Sequence, residues 1–293
     1  MLSVLIPIYN FAVIDLVQEL SKQAESLNIP FEILCIDDQS KSEFLNSNIG
    51  LEQIKGVNYQ VLKNNIGRSA IRNLLADRAR FDYLLFLDCD IEIEAFFLKK
   101  YFDFKDKSEV IVGGVSYSDF DNKDKTKLLR WKYGKAREER KAHLRNQKPY
   151  TSFSACNLWV NKKVSQKVRF SESFTKYGHE DTLYGAELEL NSITVIHINN
   201  PIIHLGIDKV SVFLEKTELA LINLVLLRRN HPKTCRNIKI FNYYNRLRKT
   251  LFFSKGLFLI CRYICRKMLL SGNTNLIVFD LYKLSFMLCL KKA

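Results

Sequence analysis

Acidic side chains are scarce in one part of this 293-residue chain: residues 209–293 carry 3 Asp+Glu against 17 Lys+Arg, whereas residues 1–208 carry 28 of each. The whole +14 formal charge therefore belongs to the last third, and the first two-thirds form an electrically balanced unit. Long apolar runs are missing too. No stretch reaches about 18 apolar residues without a charge, which argues against a membrane-spanning helix. The seven cysteines, at positions 35, 89, 156, 235, 261, 265 and 289, show no metal-ligand spacing. Cys261 and Cys265 stand one helical turn apart, the wrong interval for a zinc knuckle. Their odd total, with Cys35 and Cys89 inside apolar segments, points to buried reduced thiols and a cytosolic setting. The opening Leu2-Ser-Val-Leu-Ile-Pro-Ile8 has no basic flank and is too short for a signal peptide's apolar core. There is no internal repeat and no low-complexity segment.

What is present is ample for a core, with 47% hydrophobic residues and a length that suits one enlarged α/β domain or a core plus an appendage. The division expected from charge is a catalytic domain over 1–208 and a basic extension over 209–293. The first of these is organised around Tyr83-Leu-Leu-Phe-Leu-Asp-Cys-Asp-Ile-Glu92. Its apolar residues 84–87 predict a buried strand running into two carboxylates, Asp88 and Asp90. At the carboxyl end of a central strand such groups face the crevice where ligands bind. Two hard oxygen donors at this spacing suit a magnesium or manganese ion that also holds phosphate. The plainer reading is a strand ending in an acidic turn.

Strands are predicted at 4–8 and 31–36 around a helix at 15–23, a βαβ unit that brings both carboxyl ends to one edge. That edge carries Tyr9, Asn10, Asp37 and Asp38, which suit a base or ribose; an ordinary turn with a helix cap is the plainer alternative. A short strand at 59–62 leads to Asn65-Ile-Gly67 and a helix on which Arg68 and Arg72 share a face near the start. A helix at 95–102 and a further strand at 110–117 follow. In the charged stretch 120–148, Trp131 is suited to stack on a sugar ring or to anchor a helix. Asn157 is the main hydrogen-bonding group of a strand ending near 160. Gly178 permits a turn into a helix beginning His179-Glu180-Asp181, where an ionised carboxylate can serve as general base or simply complement the helix dipole. An edge strand at 194–198 precedes His204, a lone histidine near the sheet edge.

In their order and spacing, Val4-Leu-Ile-Pro-Ile-Tyr-Asn10, Cys35-Ile-Asp-Asp-Gln-Ser40, Asn65-Ile-Gly67 with Arg72-Asn73, Asp88-Cys-Asp90 and Gly178-His-Glu-Asp181 closely resemble the motifs of family 2 glycosyltransferases. The resemblance covers about residues 1–206, and within the family it leans towards bacterial enzymes of surface polysaccharide or lipopolysaccharide synthesis. It implies the GT-A fold: Rossmann-like α/β, a mostly parallel sheet flanked by helices, followed by a helical basic extension. It implies a nucleotide-sugar pocket lined by Pro7, Tyr9, Asn10, Asp37, Asp38, Asn65, Gly67, Arg72 and Asp88. It implies a divalent metal, Mn²⁺ or Mg²⁺, on Asp88, Asp90 and His204. It further implies Asp181 as catalytic base positioned by Glu180, and an acceptor side formed by Trp131, Asn157, Trp159 and His179. Two positions depart from the pattern: Gln39 stands where the family usually has glycine, and Trp159 where it has a small or aliphatic residue. The activity implied is inverting transfer of a sugar, by family habit UDP-linked, to a saccharide or lipid-linked saccharide.

The last third predicts an amphipathic helix at 212–229 and then apolar clusters, such as Leu251-Phe-Phe253 and Leu257-Phe-Leu-Ile260, interleaved with arginine and lysine. Basic amphipathic helices bind anionic membrane surfaces, so a peripheral place on the cytoplasmic face of the inner membrane is expected. A helical subdomain packed on the core is the alternative. Two other functions compete. A phosphatase of the haloacid-dehalogenase type also puts Asp-x-Asp after a buried strand, but wants threonine or valine where Glu92 stands, and its nucleophile strand usually comes first. A nucleic-acid-binding module would account for the charge, but the tail carries no recognised motif of that kind, and no nucleic-acid partner is expected.

Overall fold

The computed structural model describes residues 1–121, 124–174, 177–235, 238–250 and 255–290, with the backbone alone at 248–250 and 255. The expected cluster at 251–253 lies outside the described residues. Two compact units emerge, one of Met1–Ser118, Glu139–Thr175 and Glu180–Gly206, the other of Asp119–Glu138, Lys176–His179 and Ile207–Ala293.

The first unit begins β1 (Leu2–Ile8), α1 (Ile14–Ser26), β2 (Phe31–Asp37), α2 (Ser42–Ser47), β3 (Val57–Val61), α3 (Arg68–Arg78) and β4 (Tyr83–Leu87). After β4 the chain leaves the main sheet at the two aspartates and enters β5 (Ile91–Glu92), α4 (Phe97–Phe102), β6 (Val110–Val112) and β7 (Val115–Ser116). The charged segment that follows contributes α5 (Leu128–Tyr133) to the second unit and α6 (Ala142–Arg145) to the first. The first unit then closes with β8 (Asn157–Asn161), α7 (Lys162–Lys167), α8 (Glu180–Leu190), β9 (Val195–His197) and β10 (Ile202–His204).

Seven strands form the main sheet in the order β3-β2-β1-β4-β8-β6-β9, all parallel except β8, which runs antiparallel to both β4 and β6. The apolar runs of β1 and β4 are continuous because both faces of the sheet are covered. Val4, Ile6, Leu85 and Leu87 pack with α1 and α4, while Leu5, Leu84 and Phe86 pack on the other side with α3 and α8. Pro7, which has no N–H to give a ladder, is tolerated because the β1–β4 pairing ends at Leu5 and Phe86. Three short strands, β5-β10-β7, make a second sheet beside the carboxyl end of β4.

The single strand expected at 110–117 is in fact two. Gly113 and Gly114 break it, sending β6 into the main sheet and β7 into the small one. Gly114 has φ +95, and a Cβ on Gly113 would run into the side chains of Asn157 and Tyr101. Arg145 braces the break: buried, it donates to the carbonyls of Val112, Gly113 and Ile198 and to His197 Nδ1 at 2.7 Å. Burial pushes the His197 pKa down to about 4, so the ring is a neutral acceptor for that arginine.

The second unit is helical: α5, then α9 (Val210–Asn230), α10 (Lys239–Thr250), α11 (Lys255–Leu270) and α12 (Leu276–Cys289). Its core joins Leu129 of α5 to Phe213 and Leu214 of α9, Cys265 and Leu269 of α11, and Phe279 and Tyr282 of α12. Among the described residues no helix is long and apolar enough to cross a membrane.

Candidate functional site

The tips of β1, β2 and β3 form one edge stitched by side chains. Asn10, at φ 52, accepts the Lys41 N–H on its Oδ1 at 2.9 Å, and its own N–H goes to Ser40 Oγ at 2.7 Å. Asp37 Oδ1 accepts the Ser40 N–H at 2.6 Å, leaving Oδ2 buried without a hydrogen-bond partner. Asp38 is a clamp: its two oxygens take the N–H groups of Ile66 and Gly67 at 2.7 and 2.9 Å, fixing the loop that starts α3. Asn65 returns the tie by donating to the Asp38 carbonyl at 2.9 Å. Gly67 is required by its φ of +84, since nothing lies within 4 Å of where its Cβ would be. Gln39, at the family's glycine position, takes the left-handed conformation with φ 65. Its side chain spans to Lys63 O and Asn65 N at 3.0 and 3.2 Å, bonds that offset the strain of a side chain there. Tyr9, 55% exposed, is left as the free aromatic face of this edge.

A charge cluster lies where β4 ends. Arg72, whose side chain is 4% exposed, donates to Asp88 Oδ1 at 2.7 Å and stands 3.6 Å from Glu180 and 3.9 Å from Asp181. The resemblance put Arg72 beside the nucleotide or its phosphates; here it is the buried counter-charge of three carboxylates. Arg68, one turn earlier and 53% exposed, is the arginine of the pair that reaches solvent, 3.9 Å from Glu180. Burial works to raise the Asp88 pKa, but Arg72 and Arg68 outweigh it and hold the carboxyl below its ordinary value. Asp181 behaves oppositely. Burial, helped by Glu180 and opposed by Arg72, pushes its pKa up to about 6. Its Oδ2 accepts the Ala155 N–H at 2.9 Å and the Ser154 hydroxyl at 3.4 Å, while Oδ1 is buried without a hydrogen bond.

Asp90 faces β10 of the small sheet. Its Oδ2 is 3.6 Å from His204 Nε2, its carbonyl accepts the Leu205 N–H at 2.8 Å, and a Cβ on Gly206 would collide with that carboxylate. His204 stacks on Tyr117 with centroids 5.6 Å apart, and its Nδ1 is buried without a hydrogen-bond partner. Two donors each about 2.1 Å from one octahedral ion stand about 3 Å apart, so the Asp90–His204 pair fits a divalent cation in donor chemistry and at 3.6 Å stands wider than that spacing. Asp88 is drawn off by Arg72, and among the described residues no three His, Cys, Asp or Glu side chains form a ready group for a metal.

Of the four residues expected on the acceptor side, two belong to the first unit and two to the second. Trp159 is fully buried on β8, stacked at 10° on Tyr101 and packed on Tyr83 and Phe102, so it is a core wedge and not a pocket wall. Asn157 is likewise consumed internally: it donates to Gly114 O and Asn200 O, each at 2.8 Å, and accepts from Tyr101 at 2.6 Å. Trp131 and His179 belong to the second unit, where Trp131 lies 5.4 Å from the Phe120 ring and His179 takes φ 73 just before α8. Sequence reading missed Ala155, which holds Asp181 through its backbone, and Gly206, whose lack of a side chain makes room for Asp90.

Residues 3–169 match the family model described as Glycosyl transferase family 2. Among curated proteins the chain is 26% identical over 219 residues to the chondroitin synthase of Pasteurella multocida (strain Pm70), a stretch that is 64% of this chain and 23% of that protein. Among solved structures, S. aureus TarS 1–349 superposes with a TM-score of 0.52 at 20% identity, over 76% of this chain and 65% of that one. The same TarS fragment in complex with UDP-GlcNAc gives a TM-score of 0.51 at 20% identity, over 76% of this chain and 66% of that one. This likeness shows the fold, a GT-A arrangement. The chain spans about a quarter of the length of the chondroitin synthase and just under two-thirds of the TarS fragment.

Proposed function

Because the chain belongs to glycosyl transferase family 2, we propose that its site transfers a sugar, with inversion, from a nucleotide-sugar to a saccharide or lipid-linked saccharide in bacterial surface-polysaccharide synthesis. The family match also sets aside the phosphatase reading of Asp88-Cys-Asp90. A uridine donor is supported by the UDP and UDP-GlcNAc complexes of TarS, and the polysaccharide context by the chondroitin synthase relative.

The observation that carries the mechanism is the contrast between Asp88, held ionised by Arg72, and Asp181, raised to about 6 and with one oxygen unbonded. Groups whose pKa values are pushed apart in one site take different roles. In this reading Asp181 Oδ1 accepts the proton of the acceptor hydroxyl. The hydroxyl oxygen bonds to the anomeric carbon as that carbon's bond to phosphate breaks, and the electron pair leaves with the nucleoside diphosphate. General-base assistance of this kind contributes roughly 100- to 10,000-fold. Tyr9 would cover the base, and Arg68 would meet the phosphates from the start of α3. Asp90 and His204, with Asp88, would hold Mn²⁺ or Mg²⁺, which when bound supplies positive charge against the departing diphosphate. The acceptor's place on a lipid would put the protein at the cytoplasmic face of the inner membrane, held peripherally by its basic extension.

Nucleotide-sugars incubated one by one with the protein and Mn²⁺ test this reading. One donor should release nucleoside diphosphate slowly without acceptor, and Asp90→Ala should abolish the release. Failure of every donor to bind, measured by calorimetry, would overturn it.

A further inference from the structure

Helix α11 turns its apolar side outward. Cys265 and Leu269 face the second unit's core beside Phe279 and Tyr282. Leu257, Leu259, Ile260, Tyr263, Ile264 and Leu270 are all exposed, Ile260 by 59% and Tyr263 by 68%. At 3.6 residues per turn these six occupy one arc of about 160°. Lys267 lies within the arc and Arg266 at its edge, and the helix contains no acidic residue. Ile277 and Leu281, also exposed on α12, add to the apolar surface of the unit. So much exposed apolar area on adjoining turns marks an interaction surface, not an ordinary solvated face.

Charge identifies the partner. Residues 209–293 hold 17 Lys+Arg and 3 Asp+Glu. Of the three acids, Glu218 is bound by Arg262 at 2.8 Å, and Asp280 by Lys283 and Arg137 at 2.7 and 2.9 Å. A second copy of the chain would bring the same positive excess against this one, and like charges oppose such pairing. An anionic bilayer offers both acyl chains for the arc and phosphates for its lysine and arginines. A crossing helix is not available among the described residues, so the geometry is that of a helix lying in the plane of the surface.

We propose that α11 docks the protein on an anionic lipid bilayer, with the arc over 257–270 sunk among the acyl chains and Arg266 and Lys267 at the level of the phosphates. This deepens the membrane reading given above and rests on it, but its test does not require glycosyl transfer.

The full chain is floated with phosphatidylcholine vesicles, with and without phosphatidylglycerol. It should float only with the anionic vesicles, and less as salt is raised. Ile260→Asp with Ile264→Asp should lower partitioning at least about tenfold, with an unchanged far-ultraviolet dichroism spectrum because both positions are exposed. Arg266→Gln with Lys267→Gln should remove part of the salt-sensitive component. Equal partitioning of the wild type and the aspartate variant would overturn the proposal. So would absence of lipid binding, including the case in which light scattering shows a dimer that the aspartate variant splits. Donor hydrolysis measured on the same variants stays unchanged under the proposal; its loss in the wild type would count against the transferase reading and leave the docking result standing.

Discussion

The Arg72 guanidinium donates to the Asp88 carboxylate at 2.7 Å from a side chain that is 4% exposed. Asp88 is thus neutralised by a buried cation, and the same cation stands within 4 Å of Glu180 and Asp181.

Removing that cation should cost more than activity. Arg72→Met leaves buried carboxylates without a counter-charge, and breaking a buried pair from one side costs about 3–5 kcal/mol. Because the Asp88 pKa is depressed in the folded protein, its contribution is present above the ordinary carboxylate range and is lost as pH falls. The difference between wild type and Arg72→Met should therefore shrink in acid. Urea denaturation at neutral and acidic pH checks both; a loss under about 1 kcal/mol at neutral pH would contradict the charge account.

Asp181 should give two pH effects of opposite sign. With its pKa raised to about 6, transfer increases as pH rises through 6 and one proton is lost. Stability moves the other way. Between the ordinary value of 3.8 and about 6 the native chain binds the extra proton, so rising pH erodes stability across that window and leaves it lowered above it. Asp181→Asn keeps an acceptor for the Ala155 N–H and removes the buried charge. Above neutrality it should unfold at higher urea, by at most about 3 kcal/mol, while transfer falls about 100-fold or more. A variant less stable than wild type under those conditions would count against burial as the cause.

Gly206→Ala should displace the Asp90 carboxylate, because the added methyl occupies its place. Nucleoside diphosphate binding in Mn²⁺, followed by calorimetry, should weaken about tenfold, a change of about 1.4 kcal/mol. Binding without metal should be nearly unaffected, and equal losses in both conditions would point to general misfolding.

Trp159→Ala should lose about 3–5 kcal/mol of stability through the cavity left beside Tyr101 and Phe102. The acceptor KM of the folded fraction should not change. A raised KM at unchanged stability would return this tryptophan to the acceptor side.

Asn223 of α9 is buried and donates to the carbonyls of Tyr177 and Gly178 at 3.3 and 3.0 Å. Gly178, at φ +92, packs so closely on Ala220 that a Cβ would meet that residue's Cβ at 2.9 Å. Asn223→Ala should lower kcat several-fold and leave the donor Kd unchanged, because the segment it holds leads directly into Glu180 and Asp181; equal loss in both would indicate a merely structural role.

What was legible in the sequence follows from what side-chain patterns encode. The apolar runs of β1, β2 and β4 announced the sheet, because parallel strands buried on both faces cannot be polar. Asp90 and His204, distant in sequence, do come together. Other features left no trace. The apolar character of 110–117 continues through Gly113 and Gly114, so the pattern could not show the chain changing sheets there. Arg68 and Arg72 share a helical face, and only the tertiary structure separates a solvated guanidinium from a buried one. Trp159 alternates like any strand residue, and its burial depends on Tyr83, Tyr101 and Phe102. The contact that holds Asp181 comes from the Ala155 amide, which no residue type advertises. In α11 the apolar cluster at 257–260 was visible, but such a cluster does not say whether it looks inward or out.

The chain passes from the second unit to the first at two peptide bonds, Glu138–Glu139 and His179–Glu180. The residues proposed to hold the nucleotide, from Tyr9 to Asp90, belong to the first unit, as does the proposed base Asp181, whereas Tyr177 and Gly178, just before it in the chain, are held by Asn223 of α9. On the proposed mechanism, the helical unit thus holds the segment that leads into the base and no residue of the nucleotide edge. Under that mechanism, changes to α9 should alter proton removal and leave the choice of sugar unchanged.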